Sequence, residues 1–144
     1  MEARLDGRNA VITGGSAGIG KAIAKSFLTS GANVSIVARR SEVLTAAKDE
    51  IEAEGAITGT SGKVIALSAD IRNSEECEKV IAKTQAAFGH VDVLVNNAGT
   101  SQRGDFLEVS DEIWQDDLDL KLFSAVRLCR LVIPGMRSRQ WGRI

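Results

Sequence analysis

The chain has 144 residues, of which 44% are hydrophobic and 26% are charged, a composition typical of one globular domain with its own core. Eighteen basic residues stand against nineteen acidic ones, a formal net charge of -1, so we expect neither a nucleic-acid surface nor a basic face for anionic membranes. The N-terminus shows no charged-then-apolar leader and the chain has no bilayer-length apolar run, which predicts a cytoplasmic protein.

Short apolar runs alternate along the chain with longer amphipathic runs. The apolar runs predict buried strands over residues 9–13, 33–38, 64–68 and 92–95. The amphipathic runs predict helices over residues 18–29, from Ser41 as N-cap to near Gly55, over 74–88, and from Ser110 to about Met136. Residues 56–63, rich in Gly, Ser and Thr, predict a loop. The alternation indicates right-handed βαβ crossovers and a three-layer α/β/α fold, with a doubly wound parallel sheet between helices.

The last predicted helix is apolar on more than one face. Its apolar residues include Ile113, Trp114, Leu118, Leu122, Phe123 and Val126. One face would pack on the sheet, and the other predicts cover by a partner subunit or by further chain, so we expect a homo-oligomer formed through this helix. Pro134 should bend or fray its end. Residues 142–144 resemble the lead-in to a fifth strand, so we interpret residues 1–144 as one domain truncated after the long helix.

A glycine-rich segment joins the first predicted strand to the first helix. Its residues are Gly14, Gly15, Ser16, Ala17, Gly18, Ile19 and Gly20, with the spacing G-x-x-x-G-x-G. The first glycine permits a tight turn, the next lets a pyrophosphate approach the backbone, and the last lets helix and strand pack closely. The amides that open the helix, with the positive end of its dipole, then face an anion. The segment therefore predicts a dinucleotide phosphate site.

The same residues also suggest a phosphate loop for nucleoside triphosphates. Gly15 to Lys21 reads G-x-x-x-x-G-K, the beginning of that motif. The next residue should be Ser or Thr, whose hydroxyl binds magnesium, and here it is Ala22. The missing hydroxyl argues against this alternative.

Two further motifs follow later strands. Asp70-Ile71 comes after the third strand, and Asn96-Asn97-Ala98-Gly99 comes after the fourth. In this order TGxxxGIG, Asp plus an aliphatic residue, and NNAG resemble the short-chain dehydrogenase/reductase family, and within it the 3-oxoacyl-carrier-protein reductases. The resemblance covers the whole chain and implies a Rossmann-type domain that binds a nicotinamide dinucleotide.

The resemblance also implies roles for individual residues. Around the pyrophosphate and the nearby ribose it places Gly14, Gly15, Ser16 and Ile19, with Ala17, Gly18 and Gly20 completing the loop. Asp70 would accept a hydrogen bond from the adenine amino group, and Ile71 would pack beside the ring. Asn97, Ala98 and Gly99 would line the ribose next to the nicotinamide. Turn formation is the alternative role for Asp70 and Asn97, since both residue types bond their own backbone.

The charge after the second strand bears on the form of the cofactor. An acidic residue there would bond the ribose hydroxyl of NAD and repel a phosphate, but this chain has Ala38-Arg39-Arg40. Arg39 can bind the additional phosphate of NADP through charge-assisted bonds. Ala17 departs from the pattern, because many NADP-using relatives carry a basic residue there. The sequence favours NADP(H) over NAD(H).

The catalytic residues that the family implies are absent from this chain. The family uses a tyrosine that donates a proton, a lysine after it, and a serine after the fifth strand, whereas this chain has no tyrosine. An asparagine of the long helix corresponds to Lys121, which either replaces it in a proton relay or extends into solvent. We therefore expect the cofactor-binding part of an enzyme acting on a small carbonyl or alcohol, inactive by itself. A dinucleotide-binding or interaction module without turnover is the alternative.

The remaining chemically reactive residues suggest no further site. Cys77 and Cys129 lie in separate helical patterns, which predicts two reduced thiols. His90 falls in a turn at the opposite end of the sheet and is expected at the surface. No His, Cys and acidic residues share metal-ligand spacing, so no metal site is predicted.

Overall fold

A parallel sheet lies at the centre of the computed structural model, which describes residues 4–59, 61–101 and 104–144. Within these ranges its strands are β1 (Asn9–Thr13), β2 (Asn33–Ala38), β3 (Val64–Ser68) and β4 (Val93–Val95), in the order β3-β2-β1-β4. The chain runs outward from β1 to β3 and then returns to the other side of β1. The strand order therefore reverses between β1 and β4, the position where sheets of this kind form a crevice.

The register of β1 explains why its residues are all buried. β1 pairs with β2 from Asn9↔Asn33 to Thr13↔Val37, and on its other side with β4 from Ala10↔Val93 to Ile12↔Val95. A strand paired on both edges and covered on both faces needs an unbroken apolar run rather than an alternating one. The strand bounds predicted for β1, β2 and β3 are confirmed.

Helices cover both faces of the sheet. They are α1 (Gly18–Thr29), α2 (Ser41–Thr58), α3 (Ser74–Phe88), α4 (Asp111–Leu118) and α5 (Ser124–Ser138), with a π-helical segment (Asp119–Phe123) joining α4 to α5. One core lies between the sheet and α1 with α2, and includes Ile12, Leu28, Ile36, Leu44 and Ile51. The other lies beneath α3 and α5, and includes Val11, Val37, Val80, Leu94 and Leu128. The Rossmann-type three-layer α/β/α fold is thus confirmed.

Helix α2 is longer than the sequence indicated. It runs through Gly55 to Thr58, so the loop predicted over 56–63 was wrong in its first residues. Gly59 ends the helix in the left-handed conformation, with φ of 69°, which glycine adopts without steric cost. Gly55 is buried within the helix and does not end it. Thr60 of the predicted loop lies outside the described residues.

Two other predicted boundaries shift by one residue. The N-cap position of α2 is Arg40 rather than Ser41, and no side chain caps that end. Strand β4 begins at Val93 rather than at Asp92. The Asp92 carboxylate accepts the backbone amide of Asn9 at 3.0 Å, so this residue anchors the neighbouring strand instead of extending its own.

The long helix is continuous from α4 through α5. In the π-helical segment the backbone takes a wider turn, and the Ser124 hydroxyl donates to the Leu120 carbonyl at 2.5 Å. Helix α5 continues past Pro134 to Ser138, slightly beyond the predicted end. None of the described helices combines the length and the apolar character needed to cross a bilayer.

The chain turns back to the sheet after α5. Arg143 forms a parallel bridge with Val93: its amide donates to the Asp92 carbonyl and its carbonyl accepts the Leu94 amide, both at 3.0 Å. The predicted lead-in to a fifth strand is therefore present beside β4.

Candidate nucleotide-binding site

The loop between β1 and α1 forms one wall of the crevice at the strand-order reversal. Its first glycine, Gly14, has φ of 69°, and the amides of Gly14 and Gly15 donate to the Val37 carbonyl at 2.8 and 3.2 Å. Gly18 opens α1 with φ of 51°. Both positive φ values lie in the left-handed region, which favours glycine. The loop is thus pinned to β2 before it turns into the helix.

Two other glycines are required by space. A Cβ on Gly20 would lie 2.3 Å from the Gly14 carbonyl oxygen, and one on Gly15 would lie 2.7 Å from the Ile36 Cβ. A Cβ on Gly18 would meet nothing within 4 Å. Gly15 and Gly20 therefore let α1 pack against the sheet, while Gly18 leaves open space in front of the helix.

Thr13, a residue that sequence reasoning did not single out, connects the two walls of the crevice, which are the glycine loop and the segment after β4. Its hydroxyl accepts the amides of Asn97 and Ala98, each at 3.0 Å, and donates to the Val95 carbonyl at 3.2 Å. The Asn97 side chain donates to the Thr13 carbonyl at 3.0 Å. These bonds fasten the segment after β4 to the glycine loop. A buried Thr directly before a glycine loop was the sequence signal for this role.

One half of the crevice is an open space bordered by arginines. Its lining residues are Gly14, Ser16, Ala17, Gly18, Ala38, Arg39, Arg40, Asn97, Ala98 and Gly99. No carboxylate occurs in that lining, within the described part of the chain. The Arg39 carbonyl accepts the Ser68 hydroxyl at 3.0 Å, and Arg39 borders this half of the crevice beside Arg40. This half is suited to an anion.

The other half is narrower and mostly apolar. It is lined by Gly14, Val37, Ala38, Arg39, Ala69, Asp70, Ile71, Ala98, Gly99, Thr100 and Leu120. Ile71 is buried, whereas the Asp70 side chain is 38% exposed. Hydrogen bonds from Arg72 hold the pKa of the Asp70 carboxyl below its usual value, against a smaller opposing effect of burial. An apolar slot with one ionised carboxylate at its edge can hold a flat ring that carries a hydrogen-bond donor.

Most of the predicted cofactor-binding residues line the crevice, and three of them do not. Gly15 and Gly20 are buried behind the loop, where they serve its packing. Ile19 is 73% exposed at the start of α1. Leu120, which sequence reasoning missed, is the buried residue of the π-helical segment and lines the apolar half of the crevice.

Lys121 lies beside the crevice rather than in its lining. Its Nζ lies 2.8 and 2.9 Å from the two carboxylate oxygens of Asp117, one turn earlier in the helix. A Cβ built on Gly99 would be 3.9 Å from the Lys121 Cε. The ammonium is therefore held by an ion pair close to the Gly99 end of the crevice.

The remaining titratable residues lie elsewhere. His90 is paired with the buried Asp92 at 3.1 Å, at the amino end of β4 and opposite the crevice. Both cysteines are free, and burial raises the pKa of the Cys77 thiol. No group of metal-binding side chains was found among the residues that the structure describes.

A parallel sheet covered on both faces, with a glycine loop at its strand-order reversal, defines an α/β domain of the Rossmann type. The family model described as short chain dehydrogenase matches residues 8–144. This chain therefore belongs to the short-chain dehydrogenase family.

Curated and solved relatives agree with this assignment. A short chain dehydrogenase of Pseudocercospora fijiensis is 36% identical over all of this chain and 45% of its own length. The 3-oxoacyl-[acyl-carrier-protein] reductase FabG of Escherichia coli is 34% identical over 97% of this chain and 54% of its own. The crystal structure of L-sorbose reductase from Gluconobacter frateurii, complexed with NADPH and L-sorbose, matches with a TM-score of 0.87 and 38% identity, over 96% of this chain and 51% of its own. The chain spans about half the length of the relatives it matches.

Proposed function

We propose that residues 1–144 are the cofactor-binding domain of an oxidoreductase that transfers hydride between NADP(H) and a small carbonyl or alcohol substrate. The half of the crevice that is bordered by Arg39 and Arg40, with no carboxylate among its described lining residues, carries this proposal. The L-sorbose reductase to which the chain is similar is an NADPH complex, which supports the cofactor class. The bound dinucleotide supplies the hydride, and this chain supplies its binding and orientation.

Each part of the crevice fits one part of the dinucleotide. The pyrophosphate would lie against the amides of the glycine loop. Gly15 and Gly20 hold the loop close to the sheet and to α1, because neither position has room for a Cβ. Arg39 would bind the additional phosphate of NADP, since its guanidinium is a rigid fork suited to phosphate oxygens. Asp70 and Ile71 would hold the adenine, with Gly99 toward the nicotinamide ribose.

We expect no turnover by this chain alone. The sequence contains no tyrosine, so the proton donor implied by the family cannot come from it. Lys121 stands at the family's asparagine position in the long helix. Its ion pair with Asp117 would hold its ammonium group beside the crevice. Dinucleotide binding without turnover is the second candidate function, and the absence of tyrosine favours it for this chain alone.

We further propose that a second copy of the chain covers the long helix. The exposed apolar side chains on it are Ile113, Trp114, Leu118, Leu122 and Phe123. Several exposed apolar side chains along one helix are typical of a protein contact. Sedimentation of the chain should give a dimer or larger assembly, and Leu122→Glu should shift it toward monomer. A wild-type chain that sediments as a monomer at all concentrations contradicts this part.

Calorimetric titration with NADPH and NADH tests the cofactor assignment directly. We expect a saturable signal with NADPH and a weaker one with NADH. The absence of saturable binding of either dinucleotide to folded protein would overturn the assignment.

A further inference from the structure

The proposed function does not account for a charged bridge between the crevice and the long helix. Arg72 contacts the Asp70 carboxylate through Nε, at 3.0 Å from Oδ1 and 3.2 Å from Oδ2, and through Nη2 at 2.5 Å from Oδ2. The Arg72 backbone amide donates to Oδ1 at 3.2 Å. The other end of the same guanidinium, Nη1, bonds Asp116 of α4. One side chain therefore contacts both the crevice and the helix.

A second arginine reinforces this bridge. Arg127 of α5 donates to the Arg72 carbonyl at 2.7 Å and to Asp119 Oδ1 at 3.2 Å. The turn after β3 is thus tied to the long helix before and after the π-helical segment, and Arg127 also contacts Asp119 within that segment. That segment contributes Leu120, which lines the same half of the crevice as Asp70.

The hydrogen bonds from Arg72 limit how many further donors the Asp70 carboxylate can accept. An ionised carboxylate has about four acceptor positions, and three donor groups of Arg72 occupy most of them. A planar fork that contacts both oxygens also fixes the rotation of the carboxylate, which on an exposed turn would otherwise be unconstrained. With three donor groups in place, about one acceptor position is left on a carboxylate of fixed orientation that lines the crevice.

We propose that Arg72 is a positioning residue that fixes Asp70 for recognition of the adenine amino group, and that its bond to Asp116 couples this recognition to the long helix. The proposal rests on the proposed function, because it requires a dinucleotide in the crevice. Arg72 does not line either half of the crevice and acts through Asp70. It therefore determines selectivity among purine bases rather than affinity for phosphate.

The hypoxanthine analogue of NADPH, which has a carbonyl in place of the amino group, tests this role. Calorimetry on the full chain should show that wild type binds NADPH about tenfold more tightly than the analogue, because a hydrogen bond to a charged acceptor is lost. Arg72→Met should reduce this preference to about twofold. Arg72→Lys should retain part of it, since one charged donor remains. Arg130→Met, at an exposed arginine of α5, is the matched control and should keep the wild-type preference.

Three other results would overturn, in turn, the role of Arg72, recognition by Asp70 and the proposed function. An unchanged preference in Arg72→Met overturns the role of Arg72 and leaves the proposed function intact. Equal binding of both dinucleotides by wild type overturns recognition by Asp70, and with it the proposal. Failure of wild type to bind either one refutes the proposed function itself.

If Arg72→Met does not fold, Asp116→Asn and Arg72→Lys test the proposal in its place. Asp116→Asn weakens only the far end of the bridge, and the preference should fall to about fourfold. A wild-type preference in both Asp116→Asn and Arg72→Lys would overturn the proposal without the methionine variant.

Discussion

Two hydrogen bonds join Thr13 and Asn97 across the reversal of strand order, and Asn97 is the donor in both. The Thr13 hydroxyl accepts the Asn97 backbone amide, and the Asn97 side chain donates to the Thr13 carbonyl, each at 3.0 Å. The carboxyl ends of β1 and β4 are thereby fixed to one another, and the two walls of the crevice keep their separation.

Replacing Thr13 by Val keeps the shape of the side chain and removes the hydroxyl. The amides of Asn97 and Ala98 then lose their acceptor at a buried position, so the free energy of unfolding should fall by about 1–3 kcal/mol for each amide left unpaired. Urea unfolding measures the loss. Thr13→Ser, which keeps the hydroxyl, should lose much less, and equal losses in the two variants would contradict the role given to this hydroxyl.

A methyl group at Gly20 should disrupt the loop. The added Cβ would lie 2.3 Å from the Gly14 carbonyl oxygen, so either the loop or α1 must move. We expect Gly20→Ala to cost about 1–3 kcal/mol of stability and to weaken NADPH binding. Ser26→Ala, at an exposed position of α1, serves as the control in thermal unfolding and calorimetry. Unchanged NADPH affinity in Gly20→Ala would mean that the loop tolerates the shift.

Reversing the charge at Arg39 should change the cofactor preference. Arg39→Asp places a carboxylate in the half of the crevice whose described lining residues include none, so NADPH affinity should fall about tenfold or more while NADH affinity changes little or rises. Calorimetric titration with both cofactors gives the ratio, and Arg130→Asp is the matched control. Equal losses for the two cofactors would show that Arg39 does not contact the additional phosphate.

The ion pair of Asp70 predicts a dependence of stability on pH. Arg72 lowers the pKa of this carboxyl in the folded protein, so its contribution is complete above the unfolded pKa of about 3.9 and is lost as pH falls through the lower folded value. The stability gap between wild type and Asp70→Asn, measured by urea unfolding without cofactor, should be present at pH 7 and narrow toward pH 3. A gap that stays constant over this range would contradict the prediction. Asp49→Asn, at an exposed position of α2, is the control.

The sequence was a good guide to features that depend on residues close together in the chain. β1, β2 and β3 are continuous apolar runs, and a strand buried on both faces needs such a run, so their bounds could be predicted. The glycine loop was recognisable because packing and conformation each demand glycine at fixed positions. Gly55 misled the prediction, since a glycine within a helix looks the same as one that ends it.

Features that depend on distant side chains could not be predicted. The bond between Arg72 and Asp116 joins residues 44 positions apart, and no periodic pattern signals it. Leu120 is buried in a π-helical segment, a departure from the α-helical period that apolar periodicity does not resolve. The site was therefore predicted as a set of motif residues, while the bonds that orient them required the structure.

Two guanidinium groups lie over the Trp141 ring, that of Arg8 at 3.7 Å and that of Arg143 at 5.0 Å from the ring centre. Trp114, the other indole, is 46% exposed on the long helix and lies 6.3 Å from Phe106, ring centre to ring centre. Neither lines the crevice. Intrinsic fluorescence of this protein therefore reports two regions outside the nucleotide site: detachment of the last residues from Arg8, and solvent access to the long helix.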